Sequence, residues 1–276
     1  INAAKLVYDY ERFSPVNELP IKELSLSKIY QVLDKCYEIN PRFTDATYNK
    51  YRAYLSHVFK KLKRYEVIEH NLMLDVETKR TIKKIRKTLT IEEEQLMNDH
   101  LYQKDYYFWR FMQIFYYADA RETELMKIRH DGTVNIAQQY FIVEIIKGKQ
   151  RREELKQISN EVVHLWKEII EEAKPGDYLF SKGLKPGPNA IRPDQIGRRW
   201  FKLVKRPIAK GGLGINKDFR SLNHSHITKV STALGIRAAA ESRGHTTPVI
   251  TMSVYDVTRK QRLLDEVKNS GVALGK

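Results

Sequence analysis

One stretch of the chain, residues 133–146, favours β-strands, whereas most of the remaining sequence carries the spacing of helices. Its sequence, T-V-N-I-A-Q-Q-Y-F-I-V-E-I-I, is rich in the β-branched and aromatic residues that strands prefer. We expect strands here that return as a hairpin through a turn containing Gly148. Helical spacing covers residues 90–101, 105–118, 121–129 and 159–173 and resumes from 194 to the C terminus. The sequence thus predicts a mainly α protein with a small β-sheet, in the α+β class.

A long amphipathic helix is predicted between Thr44 and Tyr65, with Thr44 or Asp45 as its N-cap. Its apolar positions recur at steps of three and four residues and are Tyr48, Tyr51, Leu55, Val58, Phe59 and Leu62. Its other face carries the basic residues Lys50, Arg52, Lys60, Lys61, Lys63 and Arg64. Such a row of cations is suited to lie along a phosphate backbone, and an ordinary solvated face explains it equally well. A second helix is predicted over Leu26–Ile39.

The chain is predicted to divide near residue 87. Residues 77–88 are strongly basic and contain neither glycine nor proline, which indicates a linker that lies against nucleic acid. Thr90 and Glu93 then form the pattern of a capping box, so a new helix and a new domain should begin there. We therefore expect a helical DNA-binding domain with its basic linker in residues 1–87 and a mixed domain in residues 88–276.

The charge of the chain points to a polyanionic partner. Its 49 lysines and arginines exceed its 34 aspartates and glutamates by 15. The excess is densest in residues 1–87, which hold 18 basic and 11 acidic side chains. Nucleic acid is therefore the leading partner, and an acidic membrane surface is the second. Residues 108–120, the most apolar stretch, are interrupted by Arg110, Gln113 and Asp119, so we expect no membrane span.

The cysteine content and the first residue set further limits. Cys36 is the only cysteine, which excludes an intrachain disulfide and a cysteine-based zinc site, and we expect it to be buried. The chain begins at Ile1 without a signal peptide, which suggests a fragment of a longer protein.

Four segments carry residues that could act on a DNA phosphate. They are A-R-E-T-E-L-M-K-I-R at 120–129, I-I-K-G-K at 145–149, R-S-L-N-H at 220–224, and Gly244-His245 followed ten residues later by Tyr255. Transfer of a phosphoryl group from DNA to a protein hydroxyl needs a nucleophile, fixed positive charge on the phosphate oxygens and an acid for the leaving 5′ oxygen. Tyrosine, arginine and lysine can supply these three roles, and the segments hold candidates for each.

The order and spacing of these segments resemble those of the tyrosine recombinase or phage-integrase family. The stretch T-Y-N-K-Y-R-A-Y-L-S-H-V-F-K-K-L-K-R-Y-E-V-I-E-H-N at 47–71 likewise resembles the core-binding domain of that family. The resemblance covers most of the chain and implies a helical, SAM-like core-binding domain followed by a tyrosine-recombinase catalytic domain. It also implies a site-specific recombinase that cleaves and rejoins DNA through a 3′-phosphotyrosyl link, without a metal or any other cofactor.

The resemblance assigns roles to individual residues. Arg121 matches the first phosphate-binding arginine of the family, and His245 matches the histidine that hydrogen-bonds the scissile phosphate. Tyr255 matches the nucleophile. Lys147 matches the hairpin lysine that protonates the leaving oxygen, with Lys149 as the alternative.

The third segment departs from the family pattern. Where the family has H-x-L-R-H, this chain has Arg220 in the first position and Asn223 in the fourth. Integrases of Bacteroides-type mobile elements, which the chain also resembles, can have Y-S-L-K-H-T here. Three interpretations stay open: Arg220 reaches the phosphate, Asn223 acts as an amide donor at a reduced rate, or the protein binds DNA without cutting it. His224 fits a structural histidine better than a catalytic one.

The same resemblance implies partners and a location. The chain should bind double-stranded DNA, form a homo-tetramer on it and be a monomer when free. It should act in the cytoplasm at the nucleoid rather than at a membrane. Two other functions would share its charge and chemistry: a catalytically impaired DNA-binding accessory protein, which Asn223 favours, and a type IB topoisomerase.

Overall fold

The structure, a computed structural model, describes residues 21–82, 87–147 and 150–242. These residues belong to two compact units, of which the first ends at residue 84 and the second begins at residue 85. Each unit has its own hydrophobic core. In the described part of the chain no helix is both long enough and apolar enough to cross a bilayer.

The first unit contains helices α1 (Leu26–Ile39) and α2 (Asp45–Arg64) and the 3₁₀ turns Ile21–Glu23 and Leu72–Leu74. Both helices begin after a capping residue: Ser25 accepts a hydrogen bond from the backbone of Lys28, and Thr44 accepts one from the backbone of Thr47. Both predicted helices are confirmed. Their shared core consists of Ile29, Leu33, Cys36, Phe43, Tyr48, Phe59, Met73 and Val76.

Val58 is an exception to the predicted apolar face of α2. Its side chain is exposed, as is that of Tyr54 one turn earlier. With about 3.6 residues per turn, Val58 lies at the edge of the stripe that contains Tyr48 and Phe59, where no described element covers it. The prediction for Val58 was wrong because regular spacing does not determine how wide the buried stripe is.

The second unit combines helices with an antiparallel sheet. Its described helices and strands are α3 (Ile91–Lys104), α4 (Tyr106–Tyr117), α5 (Glu122–Leu125), β1 (Val134–Asn135), β2 (Tyr140–Lys147), β3 (Gln150–Gln157), α6 (Val163–Glu172), α7 (Asp194–Trp200), α8 (Ser221–Leu234) and α9 (Ile236–Ser242). A π-helical turn, Phe201–Lys205, continues α7, and 3₁₀ turns lie at Asn160–Val162, Lys182–Leu184 and Ile208–Lys210. The strand order is β1-β2-β3, and Lys147 pairs with Gln150 at the hairpin end. The predicted α+β class is confirmed, and Gly148 lies outside the described residues.

Helix α3 begins with the expected capping box. The Thr90 hydroxyl accepts a hydrogen bond from the backbone N–H of Glu93 at 3.2 Å. The Glu93 carboxylate accepts one from the backbone N–H of Thr90 at 2.8 Å. The two side chains therefore satisfy donors that a helix start leaves without partners.

Helix α5 is much shorter than the predicted helix over 121–129. It ends at Leu125, and a different part of the chain explains why. The carbonyl of Ile128 accepts a hydrogen bond from the backbone of Leu179, and Arg129 pairs with Tyr178 in an antiparallel bridge. These backbone groups are committed to another segment, so they cannot continue the helix.

An aromatic cluster in the second core fixes the starts of α5 and α8. Phe108, Phe111 and Phe115 lie on the buried face of α4. Phe219 stacks against all three, and its ring centroid lies 4.5 Å from that of Phe115. Phe219 comes shortly before α8, and α4 leads into the turn before α5. The stacking therefore holds these two helix starts in one region.

Candidate functional site

Arg121 lies at the N-terminal end of α5, where Glu124 orients it. Asp119, with a left-handed backbone at φ 46°, turns the chain between α4 and α5. The backbone N–H of Arg121 donates to Glu124 Oε2 at 2.8 Å, and its guanidinium donates to Oε1 of the same carboxylate. Glu124 is buried, whereas the Arg121 side chain is 57% exposed. A buried carboxylate thus directs a cation towards solvent.

Arg220 lies at the N-terminal end of α8 and contacts the residue that follows Arg121. Its Nε and Nη2 atoms donate to Oε1 of Glu122 at 2.9 and 2.7 Å. The Arg220 side chain is 54% exposed. Because Glu122 is the first residue of α5, this contact brings Arg220 to the helix start where Arg121 lies. Two of the predicted phosphate-binding residues are therefore brought together.

This arrangement can bind an anion at the protein surface. Each guanidinium presents a planar set of N–H donors, which suits two oxygens of one phosphate. The start of α8 adds the partial positive charge of a helix N terminus. Arg121 and Arg220 together can therefore provide fixed positive charge on a DNA phosphate.

Asn223 and His224 lie inside the second unit rather than at its surface. Asn223 is 6% exposed, and its Oδ1 atom has no hydrogen-bond partner among the described residues. This burial does not favour the interpretation of Asn223 as an amide donor to DNA. His224 is also buried, which favours the packing role over the catalytic one.

The remaining predicted catalytic residues are only partly covered by the structure. Lys147 is the last residue of β2, so its backbone is positioned at the hairpin end, and its side chain lies outside the described residues. Lys149, His245 and Tyr255 also lie outside them. The roles assigned to these four residues therefore stay predictions.

The predicted DNA-binding residues of α2 fall into two groups. Lys50, Lys60, Lys63 and Arg64 are exposed, as is Lys61 between them. None of them forms an ion pair with a described carboxylate, so their charge is available to an external anion. Because an α-helix rises about 1.5 Å per residue, the exposed basic residues between Lys50 and Arg64 extend over roughly 21 Å of α2.

Arg52 differs from the other basic residues of α2. It is half-buried, and its Nε atom donates to the backbone carbonyl of Val76. Arg52 lies one turn after the fully buried Tyr48, which places it on the inner side of the helix. The expectation that Arg52 belongs to the exposed basic face was wrong, because its side chain is hydrogen-bonded to the segment that follows the Leu72–Leu74 turn.

Sequence reasoning missed Glu122. An acidic residue beside Arg121 looks like one of many solvated charges, and no local pattern indicates that its partner is Arg220 on a distant helix. The only available signal was the unusual arginine at 220 itself. Among the residues that the structure describes, no cluster of histidine, cysteine, aspartate and glutamate could hold a metal ion.

Comparison with known proteins finds a curated protein that is similar in sequence. A tyrosine recombinase of Thermosipho africanus (strain TCF52B) is 25% identical over 236 residues, which are 83% of this chain and 77% of that protein. No family model matches the chain.

Solved structures share the fold over nearly the whole chain. A lambda integrase dimer bound to a COC′ core site superimposes with a TM-score of 0.69 at 15% identity, over 94% of this chain and 88% of that one. The integrase of the Tn1549 transposon, in complex with transposon right-end DNA, gives a TM-score of 0.64 at 15% identity, over 98% and 93%. A lambda integrase tetramer bound to a Holliday junction gives 0.68 at 15% identity, over 94% and 72%.

Proposed function

We propose that this chain, which belongs with the tyrosine recombinases and integrases by sequence and fold, is a site-specific DNA recombinase that works through a 3′-phosphotyrosyl intermediate. The observation that carries the proposal is the pair of hydrogen bonds from Arg220 to Glu122, which brings Arg220 to the start of α5, where Arg121 lies. A phosphate held there would be bound by two arginines from distant parts of the sequence. Such fixed charge is what transfer of a phosphoryl group requires.

Tyr255 is the nucleophile in this proposal. Its phenol oxygen forms a bond to phosphorus and loses its proton to water, while the bond from phosphorus to the 5′ oxygen of the DNA breaks. Lys147, or Lys149 from the same hairpin, gives its proton to that leaving oxygen. His245 donates a hydrogen bond to the scissile phosphate beside the two arginines.

The basic face of α2 would bind the DNA duplex. The exposed residues Lys50, Lys60, Lys63 and Arg64 have no competing carboxylate among the described residues, so they can neutralise phosphates directly. The lambda and Tn1549 integrases to which the chain is similar are bound to DNA in their structures, one of them as a tetramer on a Holliday junction. We extend both properties to this chain, as a monomer when free and a homo-tetramer on DNA at the nucleoid.

A nicked suicide duplex tests the proposal. The duplex carries a binding site that the chain selects from a random-sequence pool, and cleavage next to the nick traps a covalent protein–DNA adduct on a denaturing gel. We expect an adduct for the unmodified chain and none for Tyr255→Phe. Tyr102→Phe, which also removes the hydroxyl of a tyrosine, is the matched control and should form the adduct normally. Absence of the adduct in the unmodified chain, or its persistence in Tyr255→Phe, would overturn the assignment.

A catalytically impaired DNA-binding accessory protein is the second candidate. The burial of Asn223 favours it, because this residue replaces an arginine of the family pattern and does not reach the surface. Such a protein would keep its affinity for the selected duplex but would form no covalent adduct with it. The relatives and neighbours described above are recombinases and integrases, which leaves a type IB topoisomerase without support. Relaxation of a supercoiled plasmid by the isolated chain would restore that interpretation.

A further inference from the structure

We infer that Glu122 is a positioning residue for Arg220: it holds the guanidinium at the start of α5 so that Arg220 supplies the positive charge that Asn223 lacks. The inference rests on the proposed recombinase function and deepens it. Glu122 would not touch the DNA. It would act only through Arg220. The side chain of Arg220 is largely exposed, whereas that of Glu122 is mostly buried.

The geometry of the contact leaves Arg220 able to bind a second anion. One carboxylate oxygen of Glu122 accepts from both Nε and Nη2, which lie along one side of the guanidinium. No described residue engages Nη1, so the end of the guanidinium remains open. An arginine has five N–H donors in a fixed plane, and therefore a side-on carboxylate and an end-on phosphate can be bound together.

The burial of Glu122 commits its carboxylate to this contact. The Glu122 side chain is 13% exposed, and its Oε2 atom has no hydrogen-bond partner among the described residues. A carboxylate in such a setting is costly to leave without a cation. Arg220 is the cation that meets it, so the free energy of the pair favours one orientation of the guanidinium before any DNA binds.

The position of Arg220 explains why its side chain needs a residue that restrains it. Arg220 stands three residues before Asn223, a displacement of roughly 4.5 Å along a helix axis. It also lies just outside α8, where the helix itself does not restrain the side chain. An arginine in this place has many rotamers, and fixing it in advance removes an entropic cost from the bound state. Glu122 supplies that restraint from the neighbouring helix.

Cleavage kinetics with the nicked duplex provide the first test. We expect Glu122→Ala to lower the rate of adduct formation by roughly 10- to 100-fold, as for a misplaced catalytic group, and Glu122→Gln to lower it less. Affinity for the intact duplex should change little, since the proposed contacts of the basic face of α2 with other phosphates would remain. Glu171→Gln, an exposed glutamate on α6, is the control for loss of one negative charge and should leave the rate unchanged.

Double variants separate positioning from an independent effect. In the Arg220→Ala background, Glu122→Ala should change the remaining rate by no more than about twofold, because the group through which it acts is gone. In an Arg220→His/Asn223→Arg background, which restores the family pattern, Glu122→Ala should also be without effect. The inference would be overturned if Glu122→Ala lowered the cleavage rate in either background by the same factor as in the unmodified chain.

A measurement that does not depend on cleavage keeps the two proposals distinct. In protein labelled with ¹⁵N-arginine, the Nε–H signal of Arg220, identified by its absence in Arg220→Lys, should exchange slowly with water and move to fast exchange in Glu122→Ala. An unchanged signal in Glu122→Ala would show that Glu122 does not hold Arg220. If the unmodified chain forms no adduct but the signal responds, the recombinase proposal fails and the pairing stands.

Discussion

Glu124 accepts hydrogen bonds from both the backbone and the side chain of Arg121. Its Oε2 atom takes the backbone N–H at 2.8 Å, and its Oε1 atom takes the guanidinium. The first contact is the capping interaction that starts α5, and the second points the cation towards solvent. One buried carboxylate therefore couples the folding of a helix start to the direction of a candidate catalytic arginine.

Substitution of Glu124 should separate these two roles. Glutamine can still cap the helix, so Glu124→Gln should retain the free energy of unfolding, whereas Glu124→Ala should lose about 1 kcal/mol. Both variants lack the negative charge that orients Arg121, and we expect both to slow adduct formation by roughly 10- to 100-fold. Urea unfolding and the nicked duplex measure the two effects. If Glu124→Gln cleaves at the normal rate, the charge of Glu124 is not needed to orient Arg121.

Charge reversal on α2 should weaken DNA binding without changing sequence preference. Lys60 and Lys63 are exposed and form no ion pair with a described carboxylate, so we expect them to contact phosphates rather than bases. The double variant Lys60→Glu/Lys63→Glu should remove these contacts. Affinity should fall to a similar extent on every duplex, and the slope of log affinity against log salt concentration should become shallower. Lys167→Glu, at an exposed lysine of α6, is the control. Loss of binding to a single sequence would instead mean that these lysines contact base edges.

The local elements were predictable because their signals are local. Ser25 and Thr44 lie beside the helices that they cap, and strand β2 follows from the β-branched and aromatic composition of residues 140–147. The end of α5 was not predictable. It depends on the pairing of Ile128 and Arg129 with a segment some fifty positions later, and no pattern near residue 125 encodes that contact.

The same distinction applies to the candidate site. Arg121 and Arg220 could be predicted as candidates because the order of their segments resembles that of the recombinase family. The contact of Glu122 with Arg220 could not be predicted, since it depends on the stacking of Phe219 on α4, which brings the two side chains near each other. Arg52 was assigned to the wrong face because Lys and Arg side chains are long and their spacing alone does not separate a solvated cation from one bonded to a backbone carbonyl.

Alkaline pH should destabilise the second unit through Tyr106. Its hydroxyl donates to Glu168 at 2.7 Å, and burial together with this hydrogen bond raises the pKa of Tyr106 from 10.0 to about 12. The folded state thus prefers the neutral phenol, so the stabilisation is complete below pH 10 and is lost as the pH rises to about 12. The difference in unfolding free energy between the unmodified chain and Tyr106→Phe should shrink over this window. Parallel pH curves would show that the phenol is not held neutral by the fold.

Two glycines of the second unit should respond to alanine in opposite directions. A methyl group at Gly212 would lie 2.2 Å from the carbonyl oxygen of Arg206, a backbone atom that cannot move aside without moving the loop before α8. We expect Gly212→Ala to lower the free energy of unfolding by about 1 to 3 kcal/mol. Gly197 lies exposed in α7, and an added methyl group would meet no atom within 4 Å apart from its chain neighbours and the backbone of its own helix.

Gly197→Ala should therefore raise the free energy of unfolding by about 0.5 to 1 kcal/mol, because alanine loses less backbone entropy in a helix. Both glycines belong to one unit, so urea unfolding compares them in the same transition. Equal urea midpoints for Gly212→Ala and the unmodified chain would contradict the close approach of this loop to Arg206. Since the loop leads directly to Phe219 and Arg220, Gly212→Ala should also slow adduct formation, whereas Gly197→Ala should not.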